Sequence, residues 1–145
     1  MFDSEESRLP QQIVAGAPEA IMASDLEGKI IFWNPGAEAM FGFSATEALG
    51  RSLDLIIPEG LRARHWQGYH QTMRSGLTRY GKELLAVPAL HKNGERLSCE
   101  FSIVMLRDDQ GAVAGVAALM RDVSARWQRE KELRKRLAQL EADRG

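Results

Sequence analysis

Cysteine is almost missing from this chain: among its 145 residues there is one, Cys99. A single thiol rules out an internal disulfide and points to a reducing compartment. Charge of one sign is missing too, since 19 basic side chains stand against 20 acidic ones, a formal net charge of −1. That balance supplies no clustered basic field, so nucleic acid is not an expected partner. No apolar run approaches the roughly 18 residues that a membrane span needs. The opening Met1–Glu6 is acidic and lacks the basic and apolar parts of a secretory leader. The expected location is cytoplasmic, with no membrane partner.

Catalytic patterns are equally scarce. There is no GxxxxGK(S/T) loop and no kinase motif. Histidine and cysteine nowhere take the spacing of a zinc site. Asp108 and Asp109 are paired carboxylates, but they read as a solvated turn. With no acid–base pair in view, an enzyme is not expected, peroxidase-like chemistry included.

What is present is enough apolar residue for one core: 44% hydrophobic against 27% charged. Pro10 fits a helix start, and Gln11–Ala17 reads as a short helix. Residues 20–25 and Lys29–Trp33 read as two strands joined by the turn Asp25–Gly28. Asn34-Pro35-Gly36 ends the hairpin, Ala37–Phe41 is a short helix closed by Gly42, and Ser44 with Glu47 forms a capping box. Residues 59–75 are the longest helix before the C-terminus. Its apolar stripe is Trp66, His70, Met73 and Leu77, with Leu61, His65, Gly68, Tyr69 and Thr72 on the neighbouring one. The period then changes to two. Leu84–Leu90 is a strand that Pro88 marks as an edge, His91–Gly94 is a hairpin turn, and Arg96–Leu106 and Ala112–Met120 are further strands. His91 reads as a surface turn residue. Residues 124–144 form a charged helix with Leu133, Leu137 and Leu140 spaced four and three. The fold class is therefore α+β: a five-stranded antiparallel sheet with short helices on one face, flanked by N- and C-terminal helices.

Three segments in this order resemble the PAS family: Asp25–Asn34 followed by Ala37–Phe43, the turn His91–Arg96, and Arg121-Asp122-Val123-Ser124 at the end of the last strand. The resemblance implies a sensory module rather than an enzyme. Its expected organisation is an N-terminal extension over 1–17, a PAS-like sensor domain over 18–123, and a signalling or dimerisation helix over 124–145. A homodimer is the expected assembly.

The segment Arg64–Gly76 is similar to the helix of haem-binding oxygen-sensor PAS domains of the FixL type, which carries a basic-His-x-x-Tyr pattern. By register His65 matches the iron ligand, and Tyr69 is a further candidate cofactor-binding residue. Imidazole suits iron because it binds while neutral near pH 7. Gly68 leaves room for a flat macrocycle, and Phe101 and Ile103 fall where that family covers the other haem face. Leu85 falls where the family places a distal arginine, so bound oxygen would lack that donor, and carbon monoxide, nitric oxide or a redox change becomes the expected signal. His70 is the second candidate ligand. It points about 140° away from His65, so the two cannot serve one iron from the same face. Haem b is the expected cofactor, ahead of flavin, because Cys99 lies in a late strand and not where a flavin–thiol adduct forms. A cofactor-free interaction and dimerisation module is the competing reading.

Asp122 directly follows the last strand and can accept hydrogen bonds from the backbone that starts the C-terminal helix, while Ser124 can cap it. Asp122→Ala is expected to lower stability by about 1 kcal/mol, or to uncouple the helix from the sheet. Urea unfolding together with hydrogen exchange of the helix checks both.

Overall fold

The computed structural model describes residues 3–77 and 85–144. Helix α1 spans Asp3–Gly16, the strands β1 (Ala20–Asp25) and β2 (Ile30–Trp33) form a hairpin, and the short helices α2 (Pro35–Phe41) and α3 (Ala45–Ala48) follow. Two 3-10 turns, Leu53–Ile56 and Glu59–Leu61, lead into α4 (Arg62–Ser75). Strands β3 (Leu85–Leu90), β4 (Arg96–Arg107) and β5 (Val113–Asp122) precede α5 (Ser124–Arg144). The five strands make one antiparallel sheet in the order β2-β1-β5-β4-β3. Leu84, expected to open β3, lies outside the described residues.

Alternation sorts the strands into two faces. Met22 and Ser24 of β1, Val116 and Met120 of β5, and Cys99 of β4 are buried on the face that meets the helices. Phe32, Val104 and Leu119 are exposed large apolar residues on the other. The core gathers the apolar ones among them with Ile30, Trp33, Phe41, Leu53, Ile56 and Tyr69. Two sequence features anticipate this packing. Pro88 sits in β3, at the sheet edge, where its missing N–H costs no ladder bond. Gly115 lets β5 approach β1, because a Cβ there would collide with the Ser24 carbonyl.

Asn34 is the junction. It is 1% exposed, yet all four of its hydrogen-bonding positions are used. Oδ1 accepts from the Ile21 and Ala37 backbone N–H groups at 2.8 Å each. Nδ2 donates to the carbonyls of Val14 at 2.9 Å and Glu19 at 3.1 Å. One side chain thus fixes the end of α1, the start of β1 and the first turn of α2. Gly36 is required beside it, since a Cβ would strike the Glu19 carbonyl.

The capping box is formed as expected: Ser44 Oγ accepts from Glu47 N, and Glu47 accepts from Ser44 N. Lys92 Nζ adds a 2.6 Å bond to Glu47 and, with the backbone donor, holds that carboxyl down at about 2. This pins the β3–β4 turn onto the helices. His91 is half-buried rather than a free surface residue, because its ring lies against Gly42, where a Cβ would meet its Cε1 at 2.6 Å.

Two local expectations shift, at Pro10 and at Ser124. Pro10 lies inside α1 instead of opening it; the helix is exposed around it, so water can take the carbonyl that loses its donor. The run after Gly50 is a 3-10 turn capped by Ser52, whose Oγ accepts from Asp54 N at 3.1 Å. Ser124 does not cap α5. Its Oγ accepts from Ser98 N at 2.9 Å, tying the helix to β4, while Asp122 Oδ1 accepts from Ser124 N at 2.9 Å.

Replacing Asn34 with Ala removes four side-chain hydrogen bonds at once, taking this partner from Ile21 N and from the Val14 and Glu19 carbonyls, while Ala37 N keeps its bond to the residue-34 carbonyl. The expected loss is about 3 kcal/mol of unfolding free energy, read from urea midpoints at unchanged m-value.

Candidate functional site

Helix α4 carries the candidate ligands His65 and His70, and three polar anchors set its rotation. Arg62 Nε donates to the Ile57 carbonyl at 3.0 Å. Trp66 Nε1 donates to Asp54 Oδ1 at 2.7 Å, and the indole packs so closely on the turn that a Cβ at Gly28 would collide with it. Tyr69 hydrogen-bonds Ser24 Oγ at 2.8 Å and donates to the Asp25 carbonyl. A carbonyl only accepts, so the single tyrosine proton goes to Asp25 and the Ser24 hydroxyl is the donor to Tyr69.

These anchors turn the second stripe inward. Tyr69 is 8% exposed, with His65, Trp66, Thr72 and Met73 half-buried beside it. Of the stripe read first, His70 and Leu77 are exposed. The His65 ring lies between its neighbours, its centroid 4.8 Å from Trp66, edge-on, and 5.6 Å from Tyr69. The tyrosine follows His65 by four residues, one helical turn, which places both rings on one side of the helix. His70 stacks on the outer side of the cluster, 5.7 Å from the Trp66 ring.

His65 Nδ1 is buried and has no hydrogen-bond partner among the described residues. Burial pushes the His65 pKa below its ordinary value; Asp54 opposes that shift and His70 reinforces it. The side chain is therefore held as neutral imidazole, the form that ligates a metal. Burial likewise pushes the Tyr69 phenol up, which keeps it a donor.

The remaining residues are distributed around this cluster. Phe101 and Ile103 lie on the inner face of β4, half-buried against the core. Leu85 is the ladder partner of Phe101; its side chain is outside the described set. Gly68 is exposed, with open space where a Cβ would stand. The structure thus brings His65, Trp66 and Tyr69 together and leaves His70 and Gly68 on the solvent side of α4. Two open cavities are formed elsewhere, one of about 290 Å³ lined by Arg51, Ser52, Asp54, Leu55 and Arg62. The other, of about 380 Å³, lies between Pro18, Met40, Met120 and Arg121. Neither is lined by His65. Ser24 and Asp54 escaped the sequence reading. Nothing local marks either as a partner of α4, because both contacts are made across the fold.

Residues 18–125 match the family model described as PAS domain. The chain is 26% identical over 106 residues to the oxygen sensor protein DosP of Escherichia coli, covering 73% of this chain and 13% of that one. It is 34% identical over 55 residues to the sensor protein FixL of Bradyrhizobium diazoefficiens, covering 38% and 11%. The curated relatives it matches are thus far longer, the chain spanning 11% to 15% of their length. Among solved structures, the PAS domain of a Colwellia psychrerythraea protein superposes with a TM-score of 0.73 at 22% identity, covering 83% of this chain and 98% of that one. A light-oxygen-voltage domain studied with a flavin analogue gives 0.61 at 18% identity, covering 91% and 96%. At these identities the solved structures share the fold alone.

The lowered His65 pKa has a definite sign. The folded state holds fewer protons than the unfolded chain, so His65 contributes full stability above the ordinary value of 6.5 and loses it as pH falls from there. Urea midpoints measured on either side of that value should drop on the acid side, and His65→Leu should flatten the drop.

Proposed function

This chain belongs to the PAS domain family, and from that premise we propose that it senses through a b-type haem held by His65, with output through α5. PAS modules are sensory domains of signal transduction; the cofactor is the added step. The observation that carries it is the His65 nitrogen shielded from water with no partner among the described residues, on an imidazole kept neutral by burial. A neutral ring with an unused lone pair is what iron ligation requires. When bound, the haem iron would supply diatomic-gas binding or one-electron redox chemistry.

The chain's own residues would orient and enclose. Tyr69 and Trp66, each anchored by a hydrogen bond, confine the His65 ring. Phe101 and Ile103 offer apolar surface from the sheet. Leu85 in place of a charged distal donor favours carbon monoxide, nitric oxide or redox change over oxygen as the signal. The names of DosP, an oxygen sensor, and FixL, a sensor, support the general reading. Flavin photochemistry is disfavoured because Cys99 is buried in β4 with its thiol pushed up to about 12, mainly by burial.

A homodimer is the assembly that the exposed face of α5 supports. Leu133, Leu137 and Leu140 are 58% to 63% exposed along one side of a helix with no buried residue. A polar helix of this kind gains little by standing alone, so a second copy is its natural cover. The same exposed leucines support the cofactor-free interaction module as the second reading.

Hemin titration separates the two. The purified protein should take up hemin with a Soret band that His65→Ala abolishes and His70→Ala leaves in place, while sedimenting as a dimer. A wild-type protein that stays colourless with added hemin removes the haem reading and leaves the interaction module.

A further inference from the structure

We propose that the Tyr69 hydroxyl is a positioning group that latches α4 to the central strands and so carries the state of the His65 site to α5. This deepens the sensory reading of the same site. Three observations support it. The first is the proton order, Ser24 hydroxyl to Tyr69 hydroxyl to Asp25 carbonyl, which joins α4 to two consecutive residues of β1. Ser24 is 3% exposed, so water does not substitute for this bond.

The second is what lies behind Ser24. It pairs with Val116 of β5, and its carbonyl is in such close approach to Gly115 that no Cβ fits between them. Displacing Ser24 therefore displaces β5 rather than compressing a side chain, since packed interiors do not deform freely. The third is the exit of β5. Val123 N donates to the Ser98 carbonyl at 2.8 Å, Ser98 N donates to Ser124 Oγ at 2.9 Å, and Arg126 pairs with Glu100. Those bonds hold the first turn of α5 to β4, next to the strand that Ser24 touches. His65 enters the chain through its ring contact with Tyr69. Each step is a hydrogen bond or a close contact, so the elements form one contiguous physical network.

The test uses Tyr69→Phe, which keeps the ring, and Ser24→Ala, which removes the donor to it. Hydrogen exchange is followed by mass spectrometry in peptides from α4 and from residues 123–128 at the start of α5, with and without hemin. Both variants should stay folded by circular dichroism. Exchange at the start of α5 should rise roughly three- to tenfold in each, the factor that one net hydrogen bond contributes. The double variant should add little to either single one. The hemin-dependent change in α5 exchange seen in the wild type should vanish in Tyr69→Phe even where the Soret band is retained. Faster exchange confined to α4, with α5 unchanged, overturns the latch and leaves Tyr69 a core residue. If wild-type protein takes up no hemin, the haem reading fails separately, and the comparison without hemin still decides the latch. Should Tyr69→Phe unfold, Ser24→Ala alone decides it on the same criterion.

Discussion

A carboxamide with no access to water must find four partners inside the protein or forfeit the free energy of each one it misses. Asn34 finds all four, on α1, the turn before β1, β1 and α2. Its bonds are spread over segments well separated in sequence, so they close together or not at all. Because they fix where β1 begins, they also fix its register: Ala20 faces Met120, and the ladder runs to Asp25 opposite Gly115. The close approach at Gly36 and the one at Gly115 follow from the same placement, one at the mouth of β1 and one near its far end. The point where β5 releases α5 is thereby set by a residue of the β2–α2 corner.

Helix α4 is positioned by a different kind of interaction. Its only fully buried residue is Tyr69, and its sequence is polar on the whole. Burial of apolar area therefore discriminates weakly between rotations of this helix. Three directional bonds do the discriminating, from Arg62, Trp66 and Tyr69. Each consumes a donor that would otherwise stay in water, and together they select the face that carries His65.

That difference explains what was legible in the sequence. The strands, the capping box at Ser44 and the turn at His91–Gly94 are written in local pattern, and they stand within a residue or two of where periodicity and turn chemistry place them. The α+β class and the one-sided helix layer follow from their order. The stripe on α4 was not legible, because Trp66–His70–Met73–Leu77 and His65–Tyr69–Thr72 satisfy helical spacing equally well. Only Ser24 and Asp54, distant in sequence, separate them. Pro10 inside α1 and the Ser124 bond to Ser98 were missed for related reasons: solvent repairs the first, and a neighbouring strand captures the second.

Against this background of satisfied polar groups, His65 Nδ1 is a local exception. Asn34, Ser24, Tyr69 and the indoles of Trp33 and Trp66 all find partners, and His65 Nδ1 is the one buried side-chain atom among the described residues that does not. A stranded polar atom costs about 1–3 kcal/mol, a large share of a domain's net stability of roughly 5–15 kcal/mol. With its proton on the other nitrogen, the imidazole would keep Nδ1 a bare acceptor rather than a stranded donor. The same tautomer leaves a lone pair shielded from water. Leucine would fill the position without any such cost, so packing alone does not account for a histidine here. Departures from local satisfaction are where functional sites concentrate, and this one sits on the helix that Tyr69 ties to the central strands.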